Sequence, residues 1–87
     1  MKYKGGEMYF TYVLYSQRKD RYYVGYTSDL SSRLEKHNTG NSRSTKSGIP
    51  WKIKYYEEYS SKLDAMARER EIKKKKSRKY IEWLINK

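Results

Sequence analysis

An 87-residue chain has room for one domain with a thin core, and its 36% apolar content leans on eleven tyrosines and two tryptophans. With no cysteine it has neither a disulfide framework nor a thiolate metal site, and no run approaches the ~18 apolar residues of a membrane span. The formal charge of +11 points to a polyanionic partner, nucleic acid ahead of a lipid surface, because the basic segments lack a broad Leu/Phe/Trp face.

The opening MKYKGGE has no apolar stretch of the kind that begins a secretory leader, which together with the missing cysteines predicts a cytoplasmic protein. Residues 9–16, YFTYVLYS, are β-branched and aromatic and read as a strand. The polar break QRKD leads to a second short strand, YYVGY at 22–26, close enough to form an antiparallel hairpin with the first. Gly25 has no propensity reason to lie in a strand, so it marks a bulge or a close approach to the backbone.

TSDLSSRLEKHNTG offers Thr27, Ser28 and Asp29 as N-caps and stops at Asn38–Gly40. Leu30 and Leu34 define the buried stripe of this short helix, and at ~100° per residue Arg33 and His37 fall beside it. NTGNSRSTKSGIP, residues 38–50, is rich in turn formers and reads as a flexible basic loop carrying Arg43 and Lys46. WKIKYYEEY at 51–59 is a third strand, and Ser60 and Ser61 cap a second helix that runs into IKKKK. Ser77 caps a last helix whose Tyr80, Ile81, Leu84 and Ile85 can close the core. The order β-β-α-β-α-α predicts a single α+β domain over 1–87, its core about 9–85, built as a three-stranded antiparallel sheet flanked by helices.

One residue stands out of place. With Leu63 as zero, Ala65, Met66 and Ile72 of the second helix fall at roughly 200°, 300° and 180°, and Glu69 at roughly 240° lies among them. A carboxylate on an apolar arc is paired, protonated or metal-bound, and the helical geometry does not decide among these.

The ordered set resembles the GIY-YIG nuclease superfamily, and within it the small stand-alone bacterial members similar to the N-terminal nuclease domain of the ABC excinuclease. The likeness is carried by Tyr12, YVGYTSDLSSRLEKHN at 23–38 and AMAREREIKK at 65–74. Of the first tripeptide, Phe10-Thr11-Tyr12 keeps only the tyrosine, and the only asparagine downstream of Glu69 is Asn86.

The resemblance implies an endonuclease that hydrolyses phosphodiester bonds with one divalent metal, Mg²⁺ or another such as Mn²⁺. Glu69 would hold the metal, and Tyr12 would take a proton from the attacking water or orient it. Tyr23 would help position water or phosphate, Arg33 would grip the scissile phosphate, and His37 would relay a proton or contact the phosphate. Arg33 and the metal would favour the Tyr12 phenolate.

Arg43, Lys46 and the run Lys73, Lys74, Lys75, Lys76 and Arg78, outside that site, would track phosphates without reading bases. No helix shows Asn or Gln along a base-reading face, so recognition is expected to follow nucleic-acid structure rather than sequence. DNA stands ahead of RNA, with DNA repair as the setting and a protein partner for targeting. The alternative is a weakly catalytic or non-catalytic nucleic-acid-binding module on the same scaffold.

Overall fold

The aromatic run beginning at Tyr9 does form a strand, and it lies at the centre of the sheet. The computed structural model describes residues 8–87, so the MKYKGGE segment lies outside the described residues. The strands are β1 (Tyr9–Ser16), β2 (Arg21–Thr27) and β3 (Trp51–Tyr59); the helices are α1 (Leu30–Asn38), α2 (Lys62–Lys75) and α3 (Arg78–Asn86). They follow the predicted order, and the antiparallel sheet runs β2-β1-β3.

A central strand is covered on both faces, and Thr11, Tyr12, Val13 and Leu14 are all buried. Because side chains alternate, Val13 joins Val24, Ile72 and Leu84 under α2 and α3, while Tyr12 and Leu14 join Trp51, Leu30 and Leu34 under α1. Strand β3 serves both cores through a bulge: Val13 pairs with Tyr55 but Leu14 with Ile53, leaving Lys54 as the extra residue. Residues two apart would otherwise share a face; the bulge sends Ile53 to the α1 side and Tyr55 to the other.

The helix starts are those the polar side chains dictate. Asp29, Ser61 and Ser77 each accept a backbone N–H three residues on, satisfying an orphan donor of the first turn. Lys76 breaks α2 from α3 by adopting the left-handed conformation, φ 47°.

Residues 38–50 depart from the flexible loop that their composition predicts. Arg43–Gly48 form a 3-10 helix whose Thr45 and Gly48 are buried. Side chain–backbone bonds tie the segment down: Trp51 Nε1 donates to the Thr45 carbonyl at 2.7 Å, Ser16 Oγ to the Gly48 carbonyl at 2.6 Å, and Asn38 Nδ2 to the Trp51 carbonyl at 3.0 Å.

Glu57 of β3 carries a stability switch. Burial would raise its pKa, but Arg68 donates to it at 2.9 and 3.1 Å and the Tyr55 and Tyr59 hydroxyls donate as well, and these bonds hold the carboxyl at about 2 instead of 4.5. A depressed carboxylate pKa contributes stability above the unfolded value that is lost as pH falls through the folded one. Glu57→Gln should lower the thermal midpoint at pH 7 by about 5 °C or more. That gap should close between pH 4.5 and 2, the window of the shift. Melting curves across pH check it, and a constant gap would refute the assignment.

Candidate active site

Beside β2, one of the two edge strands, lies a cleft of about 470 Å³ lined by Tyr12, Tyr23, Gly25, Arg33 and Glu69, with Tyr26 and Lys62 on its walls. Side chains of β1, β2, α1 and α2 therefore meet in one place. Tyr12 and Gly25 are cross-strand partners, and pairing continues unbroken through them, so Gly25 is no bulge. It is a close approach: a Cβ there would lie 2.6 Å from the Tyr12 hydroxyl oxygen and 2.8 Å from Cζ. The missing side chain lets the Tyr12 ring extend over β2 to the cleft.

Tyr12 is only 2% exposed. Burial pushes its phenol well above the ordinary tyrosine range, with Tyr23 adding to the rise, Arg33 opposing it and Glu69 adding again. Arg33 alone therefore does not bias Tyr12 toward phenolate, because desolvation outweighs the guanidinium.

Arg33 projects from α1 into the cleft and is exposed, so its guanidinium is open to an anion. His37, one turn on, goes elsewhere: it is 2% exposed and is not part of the cleft lining, which removes direct phosphate contact from the expected roles. Its Nε2 lies 3.3 Å from the Tyr12 hydroxyl and its Nδ1 2.8 Å from Thr45 Oγ1. Burial, with Arg33 contributing, pushes the His37 pKa down, so the ring is neutral at physiological pH. Tyr23 packs edge-on against it with ring centroids 4.8 Å apart.

Glu69 faces the cleft with its side chain 20% exposed and is paired with Lys73 at 2.8 Å. This inward carboxylate thus has an ion-pair partner one turn along the same helix, in the favourable Glu-before-Lys order. The run beginning at Lys73 is accordingly not wholly outside the site. Lys62 is a cleft residue that the sequence reading missed, although it lies two turns before Glu69 and helical spacing alone puts both on one face.

Among the described residues no three or more acidic or histidine side chains gather into a multi-ligand metal centre. The cleft still suits a Mg²⁺-like ion, which keeps several waters and needs only one or two carboxylates. Glu69 is the carboxylate there, and its cationic partner Lys73 is half-exposed and free to swing into solvent.

Comparison with known proteins fits this geometry. The GIY-YIG catalytic domain matches residues 8–81, nearly the whole described chain. This chain belongs to the GIY-YIG family. A UPF0213 protein of Streptococcus pneumoniae serotype 4 is 38% identical over 76 residues, covering 86% of this chain and 76% of that one. Another from Streptococcus pyogenes serotype M5 is 44% identical over 57 residues, covering 64% of this chain and 62% of that one. The solution structure of a UPF0213 protein from Bacillus halodurans superposes with a TM-score of 0.56 at 30% identity, over 91% of this chain and 83% of that one.

The cations expected to track phosphates are distributed around the GIY-YIG cleft rather than in it. Arg43 and Lys46 are exposed on the 3-10 helix, and Lys73, Lys74, Lys75 and Lys76 are exposed where α2 ends. Arg78 is engaged, its guanidinium donating to Asp20 Oδ1 at 2.6 Å and to Glu82 at 3.0 Å. No helix among the described residues is long and apolar enough to cross a membrane.

Proposed function

We propose that this GIY-YIG protein is a metal-dependent endonuclease that cleaves DNA by structure rather than sequence, in the cytoplasm and in the service of DNA repair, with a protein partner directing it to its sites. The observation that carries the reading is the convergence of Tyr12, Arg33 and Glu69, from three separate elements, on one cleft. The likeness of residues 23–38 to the excinuclease nuclease domain supports DNA ahead of RNA.

Each side chain has a task its chemistry suits. Glu69 would hold Mg²⁺ or Mn²⁺, which when bound supplies Lewis-acid stabilisation of the phosphate. The Tyr12 oxygen takes a proton from the attacking water as its own hydrogen passes to His37 Nε2, 3.3 Å away, so that no phenolate need form. The raised phenol pKa and the neutral imidazole both favour such a relay over a free phenolate base. The water oxygen bonds to phosphorus, the Arg33 fork stabilises the charge that develops, and the P–O bond breaks with the leaving oxygen protonated from solvent. Tyr23 orients water or phosphate beside Tyr12.

A second reading has its own observation. Lys73 sits on the Glu69 carboxylate, the place a metal would need, as in a nucleic-acid-binding module that has given up catalysis. Incubating the protein with labelled duplex, flap, fork and single-stranded DNA and RNA, with and without Mg²⁺, separates the two. The enzyme reading expects Mg²⁺-dependent cuts, preferentially in branched DNA and without a fixed base sequence. Salt-sensitive binding with no cleavage anywhere in the panel would establish the binding module instead.

A further inference from the structure

The Tyr12–His37 contact continues inward. Thr45 is 1% exposed, and its Oγ1 lies 2.8 Å from His37 Nδ1 and 3.3 Å from the Ser42 carbonyl oxygen. A hydroxyl has one hydrogen to give and two lone pairs to offer, and a carbonyl can only accept. If the Thr45 hydrogen goes to Ser42, the oxygen turns a lone pair toward Nδ1, and Nδ1 must carry the ring proton. Nε2 is then bare and faces the Tyr12 hydroxyl. With the opposite tautomer Nε2–H would point at the Tyr12 oxygen, and the phenol hydrogen would be driven out toward the cleft, where the attacking water must sit.

We infer that Thr45 is a positioning residue: anchored on the Ser42 carbonyl, its hydroxyl fixes His37 as the Nδ1–H tautomer, so that Nε2 accepts the Tyr12 hydrogen. The consequence for cleavage rests on the proposed roles of Tyr12 and His37; the tautomer itself does not. The backbone around Thr45 is built for constancy. Its N–H donates to the same Ser42 carbonyl at 3.2 Å, and its own carbonyl accepts from Trp51 Nε1 at 2.7 Å. The imidazole is equally confined, with the Tyr12 and Tyr23 rings at 6.4 and 4.8 Å and almost no solvent contact. This explains why Thr45 of a polar 3-10 turn is buried beside α1: it supplies the second partner that selects one of two otherwise similar tautomers. The neutral histidine side chain in water favours Nε2–H, so the arrangement works against the intrinsic preference.

The chain contains a single histidine, so its ring nitrogens can be read without assignment ambiguity. Two-bond ¹H–¹⁵N correlation spectra of the ¹⁵N-labelled full chain at pH 7.5 should give a pyrrole-type shift for Nδ1 and a pyridine-type shift for Nε2. In Thr45→Val the Nε2–H form should become dominant or mixed, and Thr45→Ser should restore the wild-type pattern. In the cleavage assay Thr45→Val should lower kcat by about 10- to 100-fold at nearly constant KM, with Thr45→Ser recovering most of the loss. An Nε2–H wild type overturns the inference even if Thr45→Val fails to fold, as does a folded Thr45→Val that keeps Nδ1–H. A Thr45→Val enzyme with wild-type kcat likewise removes the positioning role. If the wild type cleaves nothing, the nuclease reading falls while the spectra still decide the tautomer.

Discussion

Glu69→Gln is expected to abolish Mg²⁺-dependent cleavage while leaving nucleic-acid binding intact. The substitution keeps the shape of the side chain and removes the one carboxylate among the described residues that line the cleft. A metal stabilises several kcal/mol of developing charge; losing about 4 kcal/mol corresponds to roughly a thousandfold in rate. Binding should hold or tighten slightly, because a negative group leaves a surface that meets phosphates. Lys73 gives the prediction a second arm. Its ammonium, 2.8 Å from Glu69, competes with any divalent cation for the same oxygens. Lys73→Ala should therefore lower the Mg²⁺ concentration giving half-maximal cleavage, whereas Lys74→Ala, which makes no such pair, should not move it. Metal titrations of cleavage on one flap substrate provide both readings. Equal cleavage by wild type and Glu69→Gln would sink the enzyme assignment.

How much of this was legible in the sequence depended on whether the determinant was local. Strand and helix identities follow from patterns a few residues long: aromatic and β-branched runs, Ser61 and Ser77 as caps, and the arc of Ala65, Met66, Glu69 and Ile72. The arc also announced that Glu69 faces inward, and its pairing with Lys73 was among the outcomes it allowed. What escaped was decided by how side chains of different elements meet in the fold. Residues 38–50 have the composition of a free loop, and Ser16, His37 and Trp51, from other elements, anchor them through Thr45 and Gly48. His37 was placed beside the helix stripe by periodicity. Its withdrawal behind Tyr12 required knowing that β1 passes beneath α1 with Tyr12 on that face. The charge state of Tyr12 escaped for the same reason: counting nearby cations is possible from sequence, but the desolvation that outweighs them is a property of the packed fold.

Gly25→Ala should be nearly as damaging to cleavage as removing the Tyr12 hydroxyl itself. An added Cβ at Gly25 meets the Tyr12 oxygen at 2.6 Å and Cζ at 2.8 Å, closer than carbon tolerates, and Tyr23 Cε2 at 3.2 Å. The backbone at Gly25 is outside the left-handed region, so alanine meets no objection there except from these rings. Tyr12 is buried and cannot swing into open solvent, so the phenol must leave its place beside His37 Nε2 and the position proposed for the attacking water. A displacement of about 1 Å at a reacting group costs on the order of 100-fold in rate. Loss of a general base by Tyr12→Phe costs roughly 10²- to 10⁴-fold. Overpacking should also cost about 1–3 kcal/mol of stability, visible as a lowered thermal midpoint. The double variant distinguishes clearance from a general intolerance of side chains in β2. With the hydroxyl gone in Tyr12→Phe, the closest clash is gone too, so Gly25→Ala should destabilise that background less than wild type and reduce cleavage no further. Additive stability losses, or a Gly25→Ala protein cutting at the wild-type rate, would show that the glycine does not serve to admit Tyr12.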